Sequence, residues 1–356
     1  KDEKPAIITL EEVAKFATEL YGLGGIDVAK VKELDSYDDR NYHIPNVTYT
    51  HKDGKTETLD VIFKVHNGVE SGDQRLIEAH NAVLLHLIAA SVPVPEPMLT
   101  KSGSLIGHVT LPCIRAPDTT RQHAVRVLRY MQGTIIGQSA SESPVLLRQL
   151  GQVLGRMDKA LETFPQVPPV LSERVFLWDL KQVPALLAFS EHISDPKRRA
   201  LQQKVIANFQ SQVAPRIPTL RKAIIQNDAN EQNLVIDATR ENLTGILDFG
   251  DCLCTCIVFE LAICLAYLML GKDDPIGTAQ HIYAGYVQEF ELTKEEKEML
   301  HTLVCSRMVQ SVTMGAYSYS KDPGNEYLLI TAKTGWELLE LLDTISPADF
   351  LAKMEG

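Results

Sequence analysis

The chain has 356 residues, 45% of them hydrophobic and 23% charged, a balance that excludes a disordered chain and a collagen-like fibre. At roughly 100–200 residues per domain, the length suggests about two domains. The net charge is −11 and no basic stripe carries interleaved aromatics, which argues against nucleic acid as a partner; acidity alone is a weak pointer to cationic small molecules.

Six cysteines, Cys113, Cys252, Cys254, Cys256, Cys264 and Cys305, lack CxxC spacing; Cys252, Cys254 and Cys256 alternate in a mostly apolar stretch and read as buried or half-buried thiols of a reduced compartment. The first residues contain no apolar run, so no secretory signal is expected and a cytoplasmic location is the reading. Residues 253–270 are apolar enough to raise the question of a membrane span. Glu260 near their middle would cost a few kcal/mol in lipid, so a buried core helix is expected instead.

In chain order, Thr9 and Glu12 form a capping box ahead of a helix over 9–21, with Leu10, Val13, Ala14, Ala17, Leu20 and Tyr21 on one face and Gly22 as its stop. Strands are expected at 28–34 and 47–50, a turn at Asp53-Gly54, and an alternating strand at 59–65 that ends near Lys64. A helix follows at 76–90, then an extended segment forced by Pro93, Pro95 and Pro97, and strands near 105–111 and 125–130. Residues 1–131 thus read as an antiparallel β lobe with an internal helix. From about 132 to 356 the pattern turns helical: Ser143-Pro144 opens a helix in which Gly151 and Gly155 leave room for close packing. More helices are expected near 196–213, 257–270, 277–289, 294–319 and 326–343. One β-rich insert, 223–251, interrupts them. The expected class is α+β, with a small antiparallel sheet and a large helical lobe.

The insert carries the chemistry. An apolar run ends in Asp228; Asn233 follows five residues on; two further short strands lead to Asp248-Phe249-Gly250-Asp251. Phosphoryl transfer needs one carboxylate to take the proton of the attacking hydroxyl, and an amide oxygen with a second carboxylate to hold magnesium against the phosphates. Asp228 fits the first task, Asn233 and Asp248 the second. Either motif alone is common, because Asp, Asn and Gly also make turns; together, on strand ends, they are informative. In the β lobe, Lys64 at a strand end and Glu78 on the next helix supply the lysine that contacts phosphates and the glutamate that orients it. Residues 36–44 lie where a phosphate loop would be, without a glycine; backbone N–H groups, with Ser36, Arg40 and Asn41, could still cradle phosphate.

Lys64, Glu78, the hinge-like stretch 128–133, Asp228-x4-Asn233 and the 248–251 turn together resemble the aminoglycoside phosphotransferase (choline kinase-like) superfamily, whose fold is protein-kinase-like and bilobal. Stretches 36–43, 245–251, 258–263, 304–307 and 331–336 are similar to one subfamily within it. That resemblance implies phosphorylation of the side-chain hydroxyl of 5-hydroxy-L-lysine, giving 5-phosphooxy-L-lysine, in lysine degradation, with magnesium and GTP or ATP as donor. The nucleotide is expected between the lobes, its base near Leu128 and Tyr130. The chain departs from the family where His-Gly-Asp becomes Gln226-Asn227-Asp228. Gln226 can still brace the loop through hydrogen bonds, and Asn227 suits a positive φ best after glycine. Glu260 is expected to brace the catalytic-loop backbone. Asp251 is either a helix cap or a group facing a substrate ammonium; Arg307 either grips a substrate carboxylate or makes a structural salt bridge. Rival readings are a kinase acting on homoserine, choline or an aminoglycoside, and a pseudokinase that binds without turnover.

Overall fold

The computed structural model describes residues 4–36, 38–114, 116–139, 142–321 and 332–356. The chain divides into two compact units, Lys1–Gln132 and Gly133–Gly356.

The first unit opens with α1 (Leu10–Tyr21), whose capping box forms between Thr9 and Glu12 and whose C-cap is Gly22 at φ 71°, a left-handed position that glycine adopts without strain. A five-stranded antiparallel sheet follows in the order β1-β2-β3-β5-β4, built from β1 (Lys32–Leu34), β2 (Arg40–Thr50), β3 (Thr56–Val65), β4 (Gly107–Cys113) and β5 (Ala116–Arg129). Between β3 and β4 run α2 (Gly68–Gly72) and α3 (Gln74–Ala89). Alternation along β3 sends Val61, Phe63 and Val65 into a core with Tyr42 and Ile44 of β2 and Val13, Ala17 and Tyr21 of α1. The opposite face carries Lys64, which lies across from Asn41 on β2 and Arg126 on β5.

Two expectations for this unit fail locally. Residues 28–30 form a single 3-10 turn rather than strand, because the Asp27 side chain accepts from the Ala29 N–H and competes with sheet pairing; only Lys32–Leu34 pairs. The proposed phosphate loop at 36–44 is largely strand: Arg40 to Ile44 pair with β3, leaving a shorter connection ahead of β2.

The second unit holds a three-stranded sheet, β6-β8-β9, and a two-stranded ribbon, β10-β7, formed by β6 (Thr134–Ile135), β7 (Lys222–Ile225), β8 (Leu234–Ile236), β9 (Leu243–Ile246) and β10 (Leu253–Cys256). The helices are α4 (Pro144–Glu162), α5 (Pro169–Ser172), α6 (Pro196–Asn208), α7 (Val258–Leu268), α8 (Pro275–Glu289), α9 (Lys294–Lys321), α10 (Ala332–Asp343) and α11 (Pro347–Glu355). A 3-10 stretch, Leu180–His192, was not expected from the sequence, nor was α11, although Ser346-Pro347 repeats the start signal of Ser143-Pro144. The expected helix at 326–343 is seen from Ala332; positions 326–331 lie outside the described residues. Gly151 and Gly155 of α4 bring it against α8 so closely that a β-carbon at Gly151 would stand 2.0 Å from the Ile282 carbonyl oxygen.

The apolar run at 253–270 is not one helix. Its first residues form β10, paired with β7 from Leu253↔Ile225 to Cys256↔Lys222, and α7 begins only at Val258. The alternation of Cys252, Cys254 and Cys256 is therefore strand periodicity. Every residue of α7 is buried, Glu260 included. Among the described residues no helix is long and apolar enough to cross a membrane.

Candidate active site

Asp228 closes the turn after β7, and its carboxylate is held from two sides. Asn233 Nδ2 donates to Oδ2 at 2.8 Å and also to the Asp228 carbonyl at 2.9 Å. Arg307 of α9 donates to Oδ1 at 3.3 Å. Burial pushes the Asp228 carboxyl up to about 8; the Arg307 guanidinium opposes this, and Asp251 and Asp248 add to it. A carboxylate poised near neutrality suits proton acceptance from an alcohol.

Gln226 links this loop to the turn that bears Asp248. Its Oε1 accepts from the Asp228 N–H at 2.7 Å, and its Nε2 donates to the carbonyls of Leu247, at 3.0 Å, and Asp248, at 2.6 Å. The Leu247 N–H bonds to the Asn233 carbonyl at 2.8 Å, so the backbones of both candidate metal ligands are tied together. Asn227 sits at φ 69° and Asp248 at φ 49°; Asn and Asp are the side-chain-bearing residues that tolerate this region best. Glu260 Oε2 accepts from the N–H groups of Gln226 and Asn227. Burial raises the Glu260 carboxyl to about 7, and those two N–H groups pull it back down.

The structure bears on the alternatives that the sequence left open for Asp251 and Arg307. Asp251 is not the cap of the following helix: β10 intervenes, and α7 begins after Ile257, which makes no side-chain cap bond. The Asp251 carbonyl instead receives Asn227 Nδ2 at 3.4 Å. For Arg307 the structure shows the second of its two readings, a structural salt bridge, made to Asp228. The arginine is 1% exposed and donates to Asp228, to the carbonyls of Asn227 and Trp178, and to Gln310 Oε1. With Gln310, which donates to the Leu177 carbonyl at 2.6 Å, Arg307 fastens the segment ahead of the 3-10 stretch to the Asp228 loop. Arg174 adds to this by donating to the carbonyls of Gly250 and Cys252. The sequence offered no signal for these long-range bonds.

In the first unit, Lys64 Nζ lies 2.7 Å from Asp39 Oδ2, with both side chains largely buried. This corrects the expected pairing with Glu78, which is exposed on α3. Burial works against the charged form of Asp39, but the Lys64 ammonium, His66 and the hydrogen bonds from Lys64 and the Asn67 N–H together outweigh it and hold that carboxyl well below the usual range. Beyond Asp39 stands His66. Arg126 Nε donates to His66 Nε2 at 2.9 Å; an arginine can only donate, so the histidine hydrogen sits on Nδ1, 2.6 Å from Glu70 Oε2. Asp39, His66 and Glu70 have donor atoms within 4.8 Å of one another, but Lys64 and Arg126 already supply the positive charge there, and the hydrogen occupies the nitrogen a metal would use.

The other expected nucleotide residues divide. Arg40 is spent on structure, donating to the Pro5 carbonyl at 2.8 Å and pairing with Glu33. Ser36 precedes β2 and receives Lys4 Nζ on its carbonyl. Asn41 stands across from Lys64, and its buried Oδ1 has no hydrogen-bond partner among the described residues. One row further along the same face, Ile62 lies between His43 and Leu128. Tyr130 stacks on His43 with ring centres 4.3 Å apart. The Lys64 row is thus polar, and the row two residues away sets Ile62 and Leu128 beside His43. The sequence did not single out Asp39, His66 or Arg126; the register sets Asn41, Lys64 and Arg126 in one row, and Asp39 and His66 flank the paired strands two residues from Asn41 and Lys64.

Residues 31–295 match the phosphotransferase enzyme family (APH). Hydroxylysine kinase of Mus musculus is 34% identical over 327 residues, covering 89% of this chain and 85% of that protein. Hydroxylysine kinase of Xenopus laevis is 31% identical over 352 residues, covering 96% and 91%. Among solved structures, a microcompartment-associated aminopropanol kinase superposes with TM-score 0.67 at 19% identity, covering 96% of this chain and 99% of that one. Amicoumacin kinase hAmiN, in complex with AMP-PNP, Ca2+ and Ami, gives TM-score 0.63 at 15% identity, covering 96% and 93%. A mixed α+β fold, an antiparallel sheet in the first unit and a helical second unit accord with these matches, and the chain belongs to the APH phosphotransferase family of small-molecule kinases.

Proposed function

We propose that this chain transfers the γ-phosphoryl group of GTP or ATP to the side-chain hydroxyl of 5-hydroxy-L-lysine, giving 5-phosphooxy-L-lysine. The observation that carries the chemistry is the two-sided hold on Asp228 by Asn233 and Arg307. The substrate assignment is supported by relatives named hydroxylysine kinase that align over most of the chain.

The residues fit a magnesium ion. Asn233 Nδ2 is turned to Asp228, which leaves its amide oxygen as the remaining donor atom; with the Asp248 carboxylate this makes a hard, all-oxygen set. Asn233 and Asp248 would hold the ion, and it would supply neutralisation of phosphate charge. Lys64 binds phosphate oxygens. Asp228 orients the substrate hydroxyl and takes its proton as the new O–P bond forms and the bond to the departing nucleoside diphosphate breaks. Each carboxylate oxygen has two lone pairs, so Asn233 and Arg307 leave capacity for the hydroxyl. Gln226 spans the loop and the Asp248 turn, as the brace of a working site would, and this favours turnover over a pseudokinase reading.

The test is phosphate transfer by the purified chain, with magnesium and each nucleotide in turn, to 5-hydroxy-L-lysine, homoserine, choline and an aminoglycoside. Transfer to 5-hydroxy-L-lysine that disappears in Asp228→Asn supports the proposal. Preferred transfer to another alcohol overturns the substrate, and equal rates in wild type and Asp228→Asn overturn the role of the carboxylate.

A further inference from the structure

Kinase-like sites pair their phosphate-binding lysine with a glutamate from a helix. Here the carboxylate on Lys64 comes from the chain just ahead of β2. We propose that Asp39 is the positioning residue for Lys64, an assignment that rests on the phosphotransferase reading above.

Asp39 is itself fixed. Its Oδ1 accepts from both the backbone N–H and Nδ2 of Asn67, at 2.8 and 2.9 Å, while Oδ2 meets Lys64 Nζ. Asn67 is locked in turn, because its Oδ1 caps α2 by accepting from the N–H groups of Val69 and Glu70. The carboxylate is thus aimed by two donors of Asn67, its backbone N–H and a side-chain amide whose direction is set by its cap on α2. The sheet explains why position 39 can reach. Asn41 lies opposite Lys64, and side chains two apart on a strand share a face, so the lead-in to β2 passes over the Lys64 row. Helix α3 makes a different contact with that row: Asn81 Oδ1 accepts from Arg126, while Glu78 remains exposed. A lysine stem has four rotatable bonds and loses much freedom when it is ordered. A rigid carboxylate near the ammonium removes that cost before the nucleotide arrives. The connection ahead of β2 and the lysine therefore work as one phosphate-binding element.

The experiment is calorimetric titration with two non-hydrolysable probes, magnesium–AMP-PNP and the corresponding guanosine imidotriphosphate, across wild type, Asp39→Asn, Lys64→Met and the double variant. Asp39→Asn is expected to weaken binding by on the order of tenfold, about 1.4 kcal/mol. In the Lys64→Met background, removing Asp39 is expected to change affinity by less than about twofold, because a residue that acts through Lys64 has nothing left to position. A purely structural role would give the same loss in both backgrounds, and that result, or an Asp39→Asn protein that binds like wild type, overturns the proposal. If Asp39→Asn does not fold, Asn67→Ala loosens the carboxylate without touching Lys64; it should weaken binding only while Lys64 is present, and an equal loss without Lys64 is again refutation. Wild-type protein that binds neither probe removes the phosphotransferase reading and this proposal together. Wild-type binding that is indifferent to Asp39 removes this proposal alone.

Discussion

Replacing Arg307 by Met would strip the Asp228 loop of a buried cation. The guanidinium is 1% exposed; it donates to the Trp178 carbonyl at 2.9 Å, Gln310 Oε1 at 3.1 Å, and the Asn227 carbonyl and Asp228 Oδ1 at 3.3 Å each. Methionine matches much of its length but none of its donors, so those acceptors lose their partner and Asp228 loses its compensating charge. Breaking a buried pair by removing one partner costs about 3–5 kcal/mol. In a domain of this size, that corresponds to a fall in Tm of roughly 6–20 °C. Thermal and urea unfolding of wild type, Arg307→Met, Asp228→Asn and the double variant measure it. The double variant should be less destabilised than the two single losses added together, because Asp228→Asn removes the charge that Arg307 compensates. An Arg307→Met protein within about 1 kcal/mol of wild type, or strictly additive losses, would show that this arginine does not hold the loop.

Asn227→Gly should remain within about 1 kcal/mol of wild type, since glycine accepts φ 69° and deleting a buried Oδ1 with no partner among the described residues offsets the loss of the long Nδ2 bonds to the Asp251 and Trp178 carbonyls; Asn227→Val should cost about 1–2 kcal/mol from backbone strain alone, read by urea unfolding. Gly151→Ala places a methyl against the Ile282 carbonyl, so it should lower stability by about 3 kcal/mol, the upper end for overpacking, in the same assay. Glu57 is held down to about 2, chiefly by its hydrogen bonds to Arg129 at 2.6 and 3.0 Å. A depressed carboxylate contributes stability that is whole above its unfolded value and is lost as pH falls through its folded one. The stability difference between wild type and Glu57→Gln should therefore be about 1 kcal/mol near pH 6 after screening by solvent, and should shrink between about pH 4.5 and pH 2; a difference that grows toward acid would contradict the pairing.

Local chemistry made much of this protein legible before folding was considered. The Thr9–Glu12 box and Gly22 mark α1 because capping is settled within one turn of chain, and the alternation of Val61, Phe63 and Val65 marks β3 because pleating repeats every two residues. Asp228, Asn233 and Asp248 stand out as candidates because strand ends and turns carry them in nearly continuous sequence. What lay beyond sequence were choices between partners far apart along the chain. Lys64 takes Asp39 rather than Glu78, Arg307 takes the Asp228 loop rather than a ligand, and residues 253–256 leave a helix-like apolar run to pair with β7. Each of these turns on which polar group or backbone edge stands nearest once the core has closed. Residue type and periodicity fix how a segment bends and which face it buries; they do not carry the address of the buried charge or open strand edge that it must satisfy.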